Sequence, residues 1–213
     1  MFRETIRAEA RGYHKLKKQN GGPGQYAIVD LRVRPLERGA GFAFRSSIIE
    51  GRIPEEFLPA LEKGVHEALR RGPLGGFPVV DLEVEVVDGG RNRQDSHARD
   101  FQTAGAAAVR AALAAARAAL LEPYGVLEAA CFAPALGGLL GRIAARRGRI
   151  RGTDFRDGAY VVRAELPLTE GGGLQADLAR LSSGAGTLRL VPSHFEIMPD
   201  ALARTRLARG TSA

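Results

Sequence analysis

The 213-residue chain has little of what covalent, metal or membrane chemistry requires. Its one cysteine, Cys131, excludes an internal disulfide and suits a reducing, cytoplasmic compartment. Cys131 alternates into a strand interior, where packing is a better role for it than nucleophilic attack. The histidines, His14, His66, His97 and His194, have neither H-x-x-x-H nor H-E-x-x-H spacing, so no metal site is expected. No run of about 18 apolar residues is present to span a bilayer. The alanine-rich stretch Ala104–Leu121 comes nearest, but Arg110 and Arg117 interrupt it. Arg3, Glu4 and Arg7 break any apolar core of a secretory leader. Lysine is scarce as well. Lys15, Lys17, Lys18 and Lys63 are the only ones, and none closes a G-x-x-x-x-G-K-[ST] loop, whose amides and lysine hold nucleotide phosphates. Nucleotide hydrolysis by that device is excluded, and no cofactor is expected.

What the chain has in quantity is arginine. Basic residues number 31 against 24 acidic ones, giving a net charge of +7 and a pI near 10.2. That balance calls for a polyanionic partner, a nucleic acid or an acidic membrane face. The length allows one or two domains with real cores.

Hydrophobic periodicity divides the chain in two. Ala27–Arg34 alternates as a half-buried strand, and Gly41–Ser47 does so around Phe42 and Phe44. Pro54 with Glu55 and Glu56 opens a helix that Gly72-Pro73 stops. Val80, Leu82, Val84 and Val86 form another strand face, and a helix is expected from about Ser96 to Leu120. Beyond a boundary near Leu120–Pro123 the order becomes strand Val126–Cys131, helix around Leu136–Ile143, strands Ile150–Phe155 and Tyr160–Leu166 joined by Asp157-Gly158, helix around Leu174–Leu181, and strand Thr187–Val191. That is the β-α-β-β-α-β order of ferredoxin-like domains. The fold class is therefore α+β, with domains at 1–120 and 121–199 and a basic segment at 200–213 that is a short helix or an unstructured tail.

Several motifs recur in a telling order: Arg3-Glu4-Thr5-Ile6, Gln19-Asn20-Gly21-Gly22-Pro23-Gly24-Gln25-Tyr26, Gly51-Arg52-Ile53-Pro54, Gly72-Pro73-Leu74, Gly76-Phe77-Pro78-Val79-Val80-Asp81, Leu121-Glu122-Pro123 and Ala145-Arg146-Arg147-Gly148. In order and spacing the chain, from about Phe2 to Pro199, closely resembles the fourth and fifth domains of elongation factor G. The resemblance implies a ribosomal protein S5 domain 2-like fold for the first domain and a ferredoxin-like fold for the second. Met1 falls where the family's third domain would hand over to the fourth. The chain is thus expected to be a fragment of a longer factor or a stand-alone remnant, unable itself to hydrolyse GTP.

The resemblance also implies sites. In the family, the loop corresponding to Asp88–Asp100 is the tip that enters the decoding region of the small ribosomal subunit, beside the Gly-rich loop. Candidate RNA contacts are then Gln19, Asn20, Gly21, Gly22 and Gly24 in one loop and Arg91, Asn92, Arg93 and Gln94 in the other, side chains suited to backbone and base-edge contacts. Arg142, Arg146, Arg147 and Arg149 would anchor the second domain on large-subunit RNA. The chain departs from the family where Arg91-Asn92 replaces Tyr-His and where Pro23 replaces an arginine. Ala98-Arg99-Asp100-Phe101 and Leu121-Glu122-Pro123-Tyr124 are also similar to ribosomal protection proteins of tetracycline resistance.

Three functions compete. A ribosome-binding module that contacts rRNA and the tRNA–mRNA duplex, monomeric and with no membrane partner, is the first. A drug-protection factor is the second, and a free-standing RNA-binding regulator is the third. An acylphosphatase-like enzyme would need an arginine-bearing glycine loop after the first strand of the second domain, and Phe132-Ala133-Pro134-Ala135 supplies neither residue type.

Overall fold

The computed structural model describes residues 1–19, 24–49 and 52–210. Asn20, Gly21, Gly22 and Pro23 of the Gly-rich loop, and Gly51, lie outside them. The chain forms two compact units, Phe2–Leu121 with Ile197–Ala213, and Glu122–Glu196 with Met1. Both are mixed α and β.

The first unit contains β1 (Arg3–Ile6), β2 (Ala10–Lys18), β3 (Gln25–Pro35), β4 (Phe42–Ser46), α1 (Leu58–Leu69), β5 (Leu82–Gly90), α2 (Ala98–Ala115) and the opening residues of β6 (Ala118–Cys131). Its sheet has the order β2-β3-β5-β4. β2 and β5 flank β3 antiparallel, whereas β4 runs parallel to β5. A parallel neighbour requires a crossover, which α1 supplies. On β3 the alternation is clean: Ala27, Val29, Leu31 and Val33 are fully buried, and Tyr26, Ile28, Asp30, Arg32 and Arg34 take the other face. The buried row packs with Leu61, Val65 and Ala68 of α1 and Phe101, Val109 and Leu113 of α2.

Small residues set how closely these layers approach. A Cβ on Gly12 of β2 would overlap the carbonyl oxygen of Ala108 in α2, and one on Gly64 of α1 would overlap that of Gln102. This close approach also explains why β2 is not apparent from hydrophobicity. Its inward positions are Gly12, His14 and Leu16, its outward ones Arg11, Tyr13, Lys15 and Lys17, so the apolar signal of a strand is diluted. β1 is similarly obscured by Glu4, whose fully buried carboxylate accepts bonds from the backbone amides of Leu74 (2.9 Å), Gly75 (2.8 Å) and Phe77 (3.1 Å). The Arg3–Ile6 and Gly72–Pro78 motifs are therefore two halves of one internal staple.

The helix expected to reach Leu120 instead stops at Ala115. Nothing in the alanine run marks that end. It is imposed from outside: the Arg7 and Ala8 amides donate to the Ala116 carbonyl (3.2 and 3.1 Å), and Arg117 turns to φ 51°. Residues 118–121 then pair antiparallel with β1. The arginine-rich end of the chain is a helix, α5 (Asp200–Gly210), with Ala203 buried beside Phe2, Leu120 and Met198.

The second unit takes the remainder of β6, then α3 (Ala133–Ala145), β7 (Arg149–Arg156), β8 (Ala159–Pro167), α4 (Leu174–Leu181) and β9 (Thr187–Ile197). Strand neighbours run β9-β6-β8-β7, the ferredoxin-like arrangement that the periodicity implied. Asp157 and Gly158 both have positive φ, 51° and 82°, as a two-residue hairpin needs. Leu127, Leu139, Ile143, Val162, Leu166, Leu174 and Leu178 form the core. Cys131 packs there too, and burial pushes its thiol pKa up, so it is no thiolate nucleophile.

Candidate nucleic-acid interface

Where β5 ends, the chain turns through Arg91–His97 before α2 begins. The turn is stitched by its own side chains. Asn92 accepts a bond from the Gln94 amide on its Oδ1 (2.9 Å), and its own amide donates to Ser96 Oγ (2.8 Å). Such an Asx turn suits asparagine because its short carbonyl mimics the backbone. Two residues then fasten the turn to the Gly-rich loop. The Gly24 amide donates to Asp95 Oδ1 (3.1 Å), the Tyr26 amide to the Asp95 carbonyl (2.9 Å), and Ser96 Oγ donates to the Tyr26 carbonyl (2.6 Å). Gly24 has no room for a side chain against the Asp95 carboxylate. Asp100 is buried in the first turn of α2 and accepts from the His97 amide (2.9 Å), which fixes the exit of the loop.

This places Gly24 with the 91–96 turn, as the site reading requires, and leaves Asn20, Gly21 and Gly22 outside the described residues. Gln19 is exposed just after β2. Arg91 and Arg93 are exposed and have no ion pair among the described residues, while Asn92 and Asp95 are occupied in shaping the turn. The result is a turn held by its own bonds that presents two guanidinium groups with no ion pair among the described residues.

The arginines of the second unit differ. Arg147 forms two parallel bonds to Glu122 (2.7 and 2.8 Å), whose side chain is 0% exposed, and a third to Glu170 (3.3 Å). Those bonds hold its guanidinium pKa well above the ordinary value. Arg147 also occupies a left-handed position, φ 58°, just past α3, where glycine is the usual choice. Arg146 reaches Asp177 (2.7 Å), an acceptor it shares with Arg180 (2.8 Å). Arg149 clasps Glu196 through two bonds (2.8 and 2.7 Å) and Arg151 reaches Glu165 (2.6 Å). Of the anchor candidates, Arg142 alone is exposed with no side-chain partner among the described residues.

Glu165, His194 and Glu196 bring potential ligand atoms within 4.8 Å of one another. Burial opposes ionisation of Glu196, yet bonds from His194 and Arg149 hold its carboxyl below the usual range. Each carboxylate is already neutralised by an arginine, so a cation would have to displace both guanidinium groups. The cluster is an ion-pair network.

Comparison with known proteins decides the family. The model of elongation factor G domain IV matches residues 1–117, and that of the elongation factor G C-terminus matches residues 119–206. The chain belongs to the elongation factor G family. It is 42% identical, over 95% of its own length and 31% of the relative's, to elongation factor G 2 of Streptomyces coelicolor. A crystal structure from Thermus thermophilus superposes with a TM-score of 0.88 at 36% identity, covering all of this chain and 32% of that one. The chain thus spans about a third of the length of these relatives. Among the described residues no helix is long and apolar enough to cross a membrane.

One group of exposed cations escapes the motif reading altogether. Arg11, Lys15 and Lys17 lie on the outward face of β2 with Tyr13 between them. A period of two in Arg11–Lys18 was the available signal, hidden because the inward row contains a glycine and a histidine.

Proposed function

We propose that this chain is the ribosome-contacting portion of a translation factor acting in elongation, with the Arg91–Ser96 turn and the Gly-rich loop as a probe of the decoding region. The observation that supports it most is the coupling of the two loops through Asp95 and Ser96, which holds Arg91 and Arg93 outward with no internal acceptor among the described residues. Such a device works by shape and charge. It meets phosphates and base edges without bond chemistry, and ordering the loop beforehand removes part of the entropic cost of binding. In the second unit, Arg142 is the anchor candidate left for RNA, exposed with no side-chain partner among the described residues.

The test uses the buried state of Cys131. A Gln94→Cys variant, which leaves the bonds of Asn92, Asp95 and Ser96 in place, carries one exposed thiol, to which a tethered hydroxyl-radical source is attached. With 70S ribosomes, rRNA cleavage should concentrate in the small-subunit decoding region. Cleavage spread over the ribosome surface, or none, would contradict the proposal.

A further inference from the structure

The outward face of β2 differs from the rest of its sheet. On β3, β4 and β5 the cations are matched by carboxylates: Arg32 meets Glu85 (2.7 Å), Arg34 meets Glu9 (3.0 Å) and Glu85 (3.2 Å), and Arg45 meets Glu83 (3.6 Å). On β2, Arg11, Lys15 and Lys17 have no ion pair among the described residues. The nearest carboxylate by register is Asp30, opposite Tyr13. Tyr13 is 57% exposed although it is a large aromatic residue in a strand. Lys15 Nζ stands 5.9 Å from the ring centre of Tyr26, which is partly exposed on the neighbouring strand. Alternate residues along a strand repeat every ~7 Å, so the cations form a row rather than a point.

We propose that this row, Arg11, Tyr13, Lys15 and Lys17 with Tyr26 beside it, is a second RNA-binding surface that continues the tip. The inference rests on the ribosome-binding reading above and assigns it a surface that reading lacks. Three features favour RNA. The cations have no internal acceptors among the described residues, so counterion release on phosphate binding is fully available. Tyr13 and Tyr26 offer ring faces on which unpaired bases stack, a contact open to any base. The row is also continuous with the apex, since β2 leads into the Gly-rich loop and Tyr26 is bonded to both Asp95 and Ser96. An acidic membrane would attract the same cations but gains nothing from their continuity with the tip.

The experiment measures binding of the whole chain to 70S ribosomes across a salt series. Wild type is compared with an Arg11→Ala/Lys15→Ala/Lys17→Ala variant, with Arg91→Ala/Arg93→Ala, and with Tyr13→Ala and Tyr13→Phe. The triple variant should reduce the slope of log K against log salt by about 0.7–0.9 for each phosphate lost. Tyr13→Ala should weaken binding about tenfold, and Tyr13→Phe should restore most of it. An unchanged slope in the triple variant, with the Arg91/Arg93 variant impaired, would overturn the β2 surface and leave the tip intact. Failure of the wild type to bind ribosomes would sink both. Loss of binding to phosphatidylserine vesicles with ribosome binding unchanged would also overturn the assignment. Should the triple variant fail to fold, a benzophenone label on Tyr13→Cys decides: cross-linking to rRNA is expected, and its absence counts against the surface.

Discussion

Two groups of arginines look alike on paper and differ in space. Arg91 and Arg93 stand on a polar turn, and Arg142–Arg151 follow one another along a helix end and a strand. Both raise the local positive charge. In the structure the first pair has no internal acceptor among the described residues, whereas Arg146, Arg147, Arg149 and Arg151 are each bonded to a carboxylate of their own unit. A cation bonded to a carboxylate of its own unit, as Arg147 is to the buried Glu122, contributes to the fold and is less available to a phosphate. Counting arginines in sequence does not separate those two uses.

The comparison breaks most visibly at Arg147. Arg147→Ala leaves Glu122 as an uncompensated buried charge, and loss of one partner of such a pair costs about 3–5 kcal/mol. Urea unfolding of the second unit should show that loss, and Arg147→Ala/Glu122→Gln should recover part of it. A loss below ~1 kcal/mol would mean the pair is solvated like an ordinary surface bridge.

Asp95→Ala tests the tip in the opposite sense, because it removes no cation. Unsatisfying the Gly24 amide should cost about 1–2 kcal/mol. Ribosome binding should nevertheless weaken, since Arg91 and Arg93 are no longer held on an ordered turn. Unchanged binding would show that the turn's order is irrelevant to recognition.

Acid sharpens the contrast further. Arg151 holds Glu165 below the usual carboxyl range, and against opposing burial His194 and Arg149 do the same for Glu196. Carboxylates with depressed folded pKa values stabilise the fold above their unfolded value of about 4.3, and that stability is lost as pH falls through the folded values. The unfolding midpoint of the second unit should drop between about pH 5 and 3, and Glu165→Gln/Glu196→Gln should flatten the drop. The effect is small, under ~1 kcal/mol, because both pairs are partly in water.

Arg142→Ala should change stability by less than ~0.5 kcal/mol while reducing the salt dependence of ribosome binding slightly. A stability change of the size expected for Arg147 would show that Arg142 has an internal role.

Much of this was legible in the sequence. Period-two and helical spacing pointed to β3, β4, α1, β5 and all six elements of the second unit, most plainly where a segment buries one apolar row, as β3, α3 and β8 do; β7 buries none, and the Asp157-Gly158 turn marked it instead. The motifs that carry the family resemblance were legible as well, but their physical work is largely internal: Glu4 in its cradle of amides, Glu122 against Arg147, Asp81 accepting from the Gly39 and Gly41 amides at 3.1 and 2.9 Å. What could not be read was whatever depends on a distant partner. β2 hides because Gly12 faces α2, and the end of α2 is set by Arg7 and Ala8. Whether an arginine is free depends on carboxylates as far along the chain as Glu196 is from Arg149.

The most direct test of the central claim compares two double variants in one salt series on 70S ribosomes, Arg91→Ala/Arg93→Ala and Arg146→Gln/Arg149→Gln. Glutamine removes the charge together with the bidentate clasp that Arg149 makes. The tip variant should lose about 1.4–1.8 units of slope with stability unchanged, and the glutamine variant should lose stability with its slope unchanged. Loss of slope in the glutamine variant with the tip variant unaffected would contradict the account.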